Sequence, residues 1–283
     1  MCSIRKPSVR RASPTKASGG RAPRSARCPR RASRGPRRKP KPSSTRRTCV
    51  EAIILAGGKA ERLGDAAEGR PKALVPVGGK PLVGYQVARL AAVGVARVIV
   101  SCAAGQGELF LRELDGFGAE IVTAEEPERL GRGGAIRFAA QSRRETGDVL
   151  ALNGDELLDV DFVALRTHHE RGGGAATITV ARPPSPFGLV DLGADDVVTG
   201  FREAGRVPYW VNAGVYVFGE EALERLPERG DHETTTFPEL VVEGRLRAFR
   251  HEGLWLTVNT PKDLRRAEEQ IAADPQWLAP TAA

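Results

Sequence analysis

From residue 50 onward the chain alternates short apolar runs with segments of helical periodicity, and that alternation points to βαβ units around a mostly parallel sheet. Residues 52–56, 97–102, 119–123 and 148–152 read as buried strands. Between them, 81–93, 108–114 and 133–142 read as helices. Pro81 suits a first helical turn, and Leu82, Tyr85, Val87, Leu90 and Val93 are the candidate inward positions. Residues 161–170 look helical too. Beyond them the pattern is richer in strands, at 175–181, 188–191, 197–201 and 209–218, separated by Gly and Pro. A short helix near 220–225, a segment 233–243, strands at 247–250 and 255–258 and a closing helix over 261–272 complete the pass. The expectation is a single α/β domain over 50–272, with a Rossmann-like, mostly parallel or mixed sheet flanked by helices. Its later strands are expected to extend the sheet over a substrate.

Charge is placed unevenly along the chain. The net charge of 283 residues is +8, yet residues 1–50 hold 13 Arg and 4 Lys and no acid, leaving 26 basic against 35 acidic side chains beyond them. The predicted domain is therefore acidic, which removes the electrostatic case for nucleic-acid binding by the core. Residues 1–49 are rich in Arg, Ser, Pro and Ala and lack the large apolar side chains that would offset ordering entropy, so a disordered basic leader is expected. Organelle transit peptide and nucleic-acid tail are possible readings of it. The preferred one is an over-extended start in an Arg-rich bacterial protein, with the native start near Val50. Residues 273–283 read as a flexible tail. No apolar run approaches the roughly 20 residues a membrane span needs, and a cytoplasmic protein is expected.

Four cysteines, Cys2, Cys28, Cys49 and Cys102, show neither a disulfide framework nor zinc spacing. Cys102 ends an apolar run, where a small buried thiol is expected rather than a nucleophile. His168, His169, His232 and His251 have no ligand spacing and read as surface or structural residues. Trp210 and Trp255 are assigned to packing rather than to base stacking.

The chemistry is concentrated in the loop after the first strand. Gly57-Gly58-Lys59, then Arg62-Leu63, place backbone N–H groups and cations at the carboxyl end of a first parallel strand, the edge where α/β sheets bind ligands. Glycine lets the backbone approach an anion, Arg62 can fork onto phosphate oxygens and Lys72 can act as a point charge. On the two glycines alone, a surface turn fits equally well. The spacing is neither GxxxxGK[ST] nor GxGxxG, which argues against a P-loop enzyme and a dinucleotide dehydrogenase.

The whole stretch is more specific: Leu55-Ala56-Gly57-Gly58, Arg62-Leu63, Pro71-Lys72-Ala73-Leu74-Val75-Pro76-Val77 and Gly79-Lys80-Pro81-Leu82. It closely resembles the LAGGxGxRL and PKxLxPVxGKP signature of the sugar-1-phosphate nucleotidyltransferases, with Ala60 and Glu61 departing from it. The resemblance runs to about Glu269 and implies a GT-A-like nucleotidyltransferase fold. It implies that Leu55, Ala56, Gly57, Gly58, Gly133, Asn153 and Gly154 bind the nucleotide, and that Arg62 and Lys72 are catalytic. Gly131-Arg132-Gly133-Gly134-Ala135 is similar to the family's base-side GTGGA segment, with Arg132 in place of Thr. Asp155 in Asn153-Gly154-Asp155 matches the Mg²⁺-binding Asp, and a carboxylate is a fitting ligand for a hard cation. The second metal-binding Asp of the family is Thr257 here, and Val258-Asn259 matches an alternative in which Asn259 is the ligand. Phe187-Gly188-Leu189-Val190, Glu203 and the strand Asn212-Ala213-Gly214-Val215-Tyr216-Val217-Phe218 imply that Gly188, Glu203 and Asn212 line a sugar pocket. Ala204 stands where many members carry a Lys on the sugar phosphate, leaving Arg202 or Arg206 as substitutes.

The implied activity is transfer of a nucleotidyl group from a nucleoside triphosphate to a sugar 1-phosphate. A binding homologue with impaired catalysis and a GT-A-type glycosyltransferase are the alternatives, although Asn153-Gly154-Asp155 is not the DxD of the latter. Base, sugar and oligomeric state are left open.

Overall fold

The computed structural model describes residues 51–274, apart from 68, 186 and 204. The basic leader 1–49 and residues 275–283 of the tail lie outside the described residues. Strands β1 (Glu51–Leu55), β2 (Pro76–Val77) and β3 (Lys80–Pro81) precede helix α1 (Leu82–Ala92). Then follow β4 (Arg97–Ala103), α2 (Gly107–Glu113), β5 (Glu120–Glu126), α3 (Gly131–Ala140), β6 (Val149–Asn153), β7 (Glu156–Leu158) and α4 (Phe162–Gly172). The later part holds β8 (Ala176–Ala181), β9 (Leu189–Leu192), β10 (Val198–Arg202), β11 (Val211–Phe218), α5 (Glu220–Glu224) and α6 (Thr236–Val242). It closes with β12 (Leu246–His251), β13 (Trp255–Thr257) and α7 (Pro261–Ala273).

One seven-stranded sheet in the order β12-β8-β11-β6-β1-β4-β5 forms the middle layer. Strands β6, β1, β4 and β5 are parallel neighbours, whereas β11 runs antiparallel to both β6 and β8. Because side chains alternate along a strand, each strand feeds two cores. Ile54, Val100, Leu152 and Val217 pack beneath α1, α2 and α4, while Ile53, Ile99, Ala151 and Tyr216 pack beneath α3, α5 and α6. Burial on both faces explains why these strands read as continuous apolar runs, and each large side chain removed from water contributes about 1.5–3 kcal/mol. A third core, containing Leu63, Val77, Leu82, Leu256 and Ile271, joins the loop after β1 to β13 and α7.

Local signals set the helix ends. Asp161 caps α4 by accepting the Ala164 N–H at 2.8 Å, and Gly173 ends it at φ 61°. Thr260 and Asp263 form a reciprocal capping box on α7, with Pro261 in its first turn. The later strands extend the sheet, as expected, with the exception of residues 189–202. Strands β8, β11 and β12 enlarge the central sheet, whereas β9 and β10 pair as a separate hairpin and β13 pairs with β7. Pairing of β11 with β6 decides this, since Val215–Phe218 register against Val149–Leu152 and bury the apolar face that a free cover would expose. Among the described residues no helix is long and apolar enough to cross a membrane.

Candidate active site

Four parallel strands end at one edge, at Leu55, Ala103, Glu126 and Asn153. The turn after β6 is held against β1, because Gly154 donates its N–H to the Leu55 carbonyl at 2.8 Å. A Cβ at Gly154 would stand 2.7 Å from that oxygen, so glycine is required by close approach. Asp155 follows, its own carbonyl accepting the Val258 N–H at 3.0 Å. That bond brings the end of β13, and with it Asn259, to the same edge. Asn259 is steadied by Asp263, whose Oδ2 accepts its N–H at 3.2 Å.

Lys72 completes the centre. It begins a single turn of 3-10 helix, Lys72–Leu74, whose Ala73 and Leu74 are buried in the core. Its own exposure is 7%, and its Nζ donates to Asp155 Oδ2 at 2.5 Å and to Asn259 Oδ1 at 2.6 Å. Arg62 Nη2 donates to the same Asn259 oxygen at 3.1 Å. Two cations and two oxygen ligands, from four separate segments, therefore meet at one point. Behind them Glu156 is buried, and burial first, then the neighbouring Asp155 charge, pushes its carboxyl up to about 8. Asn153 Nδ2 and Trp255 Nε1 donate to its two oxygens at 3.3 and 3.2 Å.

A cavity of about 580 Å³ opens beside this centre. Leu55, Ala56, Gly57, Gly58, Lys72, Asn153, Gly154 and Asp155 all line it, together with Ala73, Glu126, Arg129, Arg132 and Asp231. Gly133 is placed differently, since it faces Pro227 and His232, and its N–H and that of Gly134 are taken by the Gly230 carbonyl at 2.9 and 3.1 Å. The amino end of α3 is thus capped by the loop around Gly230. Gly131 at φ 76° permits this contact, as a Cβ there would meet the Gly230 backbone.

The three expected sugar residues are not in the cavity lining. Gly188 packs on the Phe201 ring at the start of the hairpin and Glu203 follows its second strand. Asn212 donates to Tyr216 Oη at 2.9 Å and to Glu233 Oε1 at 2.7 Å, and its Oδ1 accepts the Gly214 N–H. Glu233 in turn pairs with Arg132 at 2.9 Å, so Asn212 is linked to the cavity wall through two side chains. Both proposed substitutes for a lysine at 204 are engaged elsewhere. Arg202 pairs through two nitrogens with Asp191, and Arg206 donates to the carbonyls of Arg182 and Glu252.

Glu126, Arg129, Asp231 and Glu156 were not singled out from sequence. Glu126 had a usable signal, the end of a strand parallel to β4 and β1. It is 9% exposed and accepts from Ser101 Oγ and the Leu130 N–H. Cys102 is buried, and burial pushes its thiol up to about 12, which agrees with a packing role. His169, His232 and His251 are buried, the first beside Thr177 and the last beside Asp159, while Trp255 is half-buried against Glu156.

Residues 51–274 match the model of a family described as nucleotidyl transferase. The mannose-1-phosphate guanylyltransferase of Mycobacterium tuberculosis is 30% identical over 247 residues, spanning 83% of this chain and 67% of that protein. A putative mannose-1-phosphate guanyltransferase of Sulfolobus acidocaldarius is 30% identical over 228 residues, spanning 78% of this chain and 63% of its own length. This chain spans about two thirds or slightly less of the curated relatives it matches, 62–67%. The crystal structure of HddC from Yersinia pseudotuberculosis superposes with a TM-score of 0.60 at 22% identity, over 78% of this chain and 99% of that one. A putative glucose-1-phosphate thymidylyltransferase from Bacillus anthracis gives 0.61 at 18%, over 78% and 94%. These two likenesses show a shared fold. With the family model spanning every described strand and helix, this chain is a member of the nucleotidyl transferase family.

Proposed function

We propose that the chain transfers a nucleotidyl group from a nucleoside triphosphate to a sugar 1-phosphate, releasing pyrophosphate. The observation that carries this reading is the meeting of Lys72, Arg62, Asp155 and Asn259 beside a glycine-walled cavity. In the reaction a sugar-phosphate oxygen forms a bond to the α-phosphorus, and the bond from that phosphorus to the bridging oxygen of the β-phosphate breaks. The electron pair leaves with pyrophosphate. The attacking group is already an anion, so no general base is needed, and catalysis consists of positioning two repelling anions and neutralising charge. Lys72 and Arg62 are the cations for that task, and Gly57 and Gly58 allow the backbone close to the phosphates.

Mg²⁺ belongs to the same proposal. The Lys72 ammonium stands on Asp155 Oδ2 and Asn259 Oδ1 together, so these oxygens already converge on a cation, and they are the hard donors that Mg²⁺ prefers. Asp155 and Asn259 are the residues to hold it, and when bound it supplies charge neutralisation at phosphate oxygens. The names of the curated relatives make GTP with mannose 1-phosphate the first pair to assay. A cytoplasmic location is part of this reading, because both substrates are charged small molecules of the cell interior.

Four triphosphates assayed against a panel of sugar 1-phosphates, with pyrophosphate release as readout, test the proposal. Transfer with at least one pair is expected. Nucleotide binding without release favours the impaired homologue, and use of an NDP-sugar as donor favours the glycosyltransferase; either refutes the reading.

A further inference from the structure

Away from the nucleotide cavity, two adjoining hollows of about 210 and 110 Å³ open where the end of β8, β13 and α7 meet. They share Pro183, Pro184, Trp255 and Arg266 among their walls. The larger is lined by three arginines, Arg182, Arg206 and Arg266, and by no carboxylate among the described residues. Each guanidinium has a different state. Arg206 is fastened by donating to the main-chain oxygens of Arg182 and Glu252, which fixes its position without cancelling its charge. Arg182 lies 4.7 Å over the Trp210 ring and 3.5 Å from Glu252, and its Nε is buried without a hydrogen-bond partner. Arg266 stands exposed on α7 with no ion pair to any other described residue. The one acid at the smaller hollow, Asp263, is already used, since its Oδ2 accepts from the Asn259 and Thr260 N–H groups and from Thr260 Oγ1.

Three guanidinium groups stand around this small hollow and, among the described residues, only Arg182 has a carboxylate partner, so the hollow carries a net positive charge that an anion would neutralise. Guanidinium forks match the geometry of phosphate oxygens, and the hollow has room for a phosphate group beside the flat Trp255 wall. We infer that this hollow is an oxyanion site that takes the phosphate group of a small ligand, distinct from the nucleotide cavity. Its occupant is in contact with the catalytic edge through one layer of side chains. Trp255 donates to Glu156, Thr257 pairs with Glu156 across β13 and β7, and Val258 donates to the Asp155 carbonyl. Phosphate chemistry has two sources here, free inorganic phosphate and the phosphate of a sugar 1-phosphate; the second rests on the activity proposed above.

The test titrates the full chain, without nucleotide, with inorganic phosphate in one arm and mannose 1-phosphate in the other, by calorimetry and tryptophan fluorescence. Saturable binding is expected, weakened at least about tenfold by Arg266→Ala and by Arg182→Ala and retained in Lys72→Ala. Equal affinity in both arms identifies free phosphate as sufficient, and binding of the sugar phosphate alone identifies the substrate. Should Arg182→Ala fail to fold through loss of its Trp210 contact, Arg266→Gln on the exposed helix face carries the same expectation. Absence of saturable binding in both arms overturns the inference. So does binding that survives Arg266→Ala but is lost in Lys72→Ala, which would place the anion at the catalytic centre. Pyrophosphate release measured in parallel keeps this separate from the activity: binding without transfer overturns the activity and leaves the site standing.

Discussion

His232 offers a test of the packing that walls the cavity. Its ring is buried among Tyr216, Phe218 and Phe237, with centroids 4.9, 5.7 and 4.7 Å away, and neither ring nitrogen has a hydrogen-bond partner among the described residues. Burial first, then the charge of Arg132, pushes its pKa from 6.5 down to about 4. An unfolded chain takes up this proton near its ordinary pKa while the native chain does not. The stabilising contribution is therefore complete above about pH 6.5 and is lost as pH falls toward about 4. At about 1.4 kcal/mol per pH unit, the loss across that window is about 3 kcal/mol. His232→Phe keeps a flat ring among aromatic neighbours, sacrifices no hydrogen bond and removes the titration. Urea unfolding of both proteins from about pH 7 to about pH 4.5 should show the variant gaining about 2–3 kcal/mol relative to the parent. Parallel stability curves over that range would refute the reasoning.

Lys72→Ala should lower turnover by about 10²-fold or more with the unfolding transition little changed, as measured by pyrophosphate release and chemical denaturation. Asp155→Asn should raise the Mg²⁺ concentration needed for half-maximal turnover; an unaltered Mg²⁺ profile would remove the metal role from that side chain. Gly214→Ala places a Cβ at φ 66° against Asn153 and Glu156, so a loss of about 2–4 kcal/mol in stability is expected by urea unfolding. Gly131→Ala should loosen the contact with Gly230 and weaken nucleotide binding more than it weakens the fold, as calorimetry can check.

The order of elements was legible because it rests on local periodicity. Strands and helices of five residues or more fall within a few residues of their expected positions, and the short β2, β3 and β7 were missed because two or three residues carry no periodic pattern. Gly57, Gly58, Asn153, Gly154 and Asp155 were legible as a group, since loop residues directly after parallel strands must share the carboxyl edge, whereas Lys72, well beyond β1, was legible only through the family signature it belongs to. The Glu233–Asn212 contact was not. It joins residues 21 apart across a strand and a loop, and neither residue type announces its partner.

Residue order alone carries the alternation of elements, the split of charge between residues 1–50 and the rest, and the candidate residues at the strand ends. These depend on residue type and short spacing, which are present in the unfolded chain. Tertiary structure alone decided that Asn259 would meet Lys72 from 187 positions away, and that Arg202 and Arg206 would be spent on Asp191 and on main-chain oxygens. It also decided that three arginines would line one hollow with no carboxylate in its wall among the described residues. Such meetings follow from strand order and register, which long-range burial selects and no local pattern encodes.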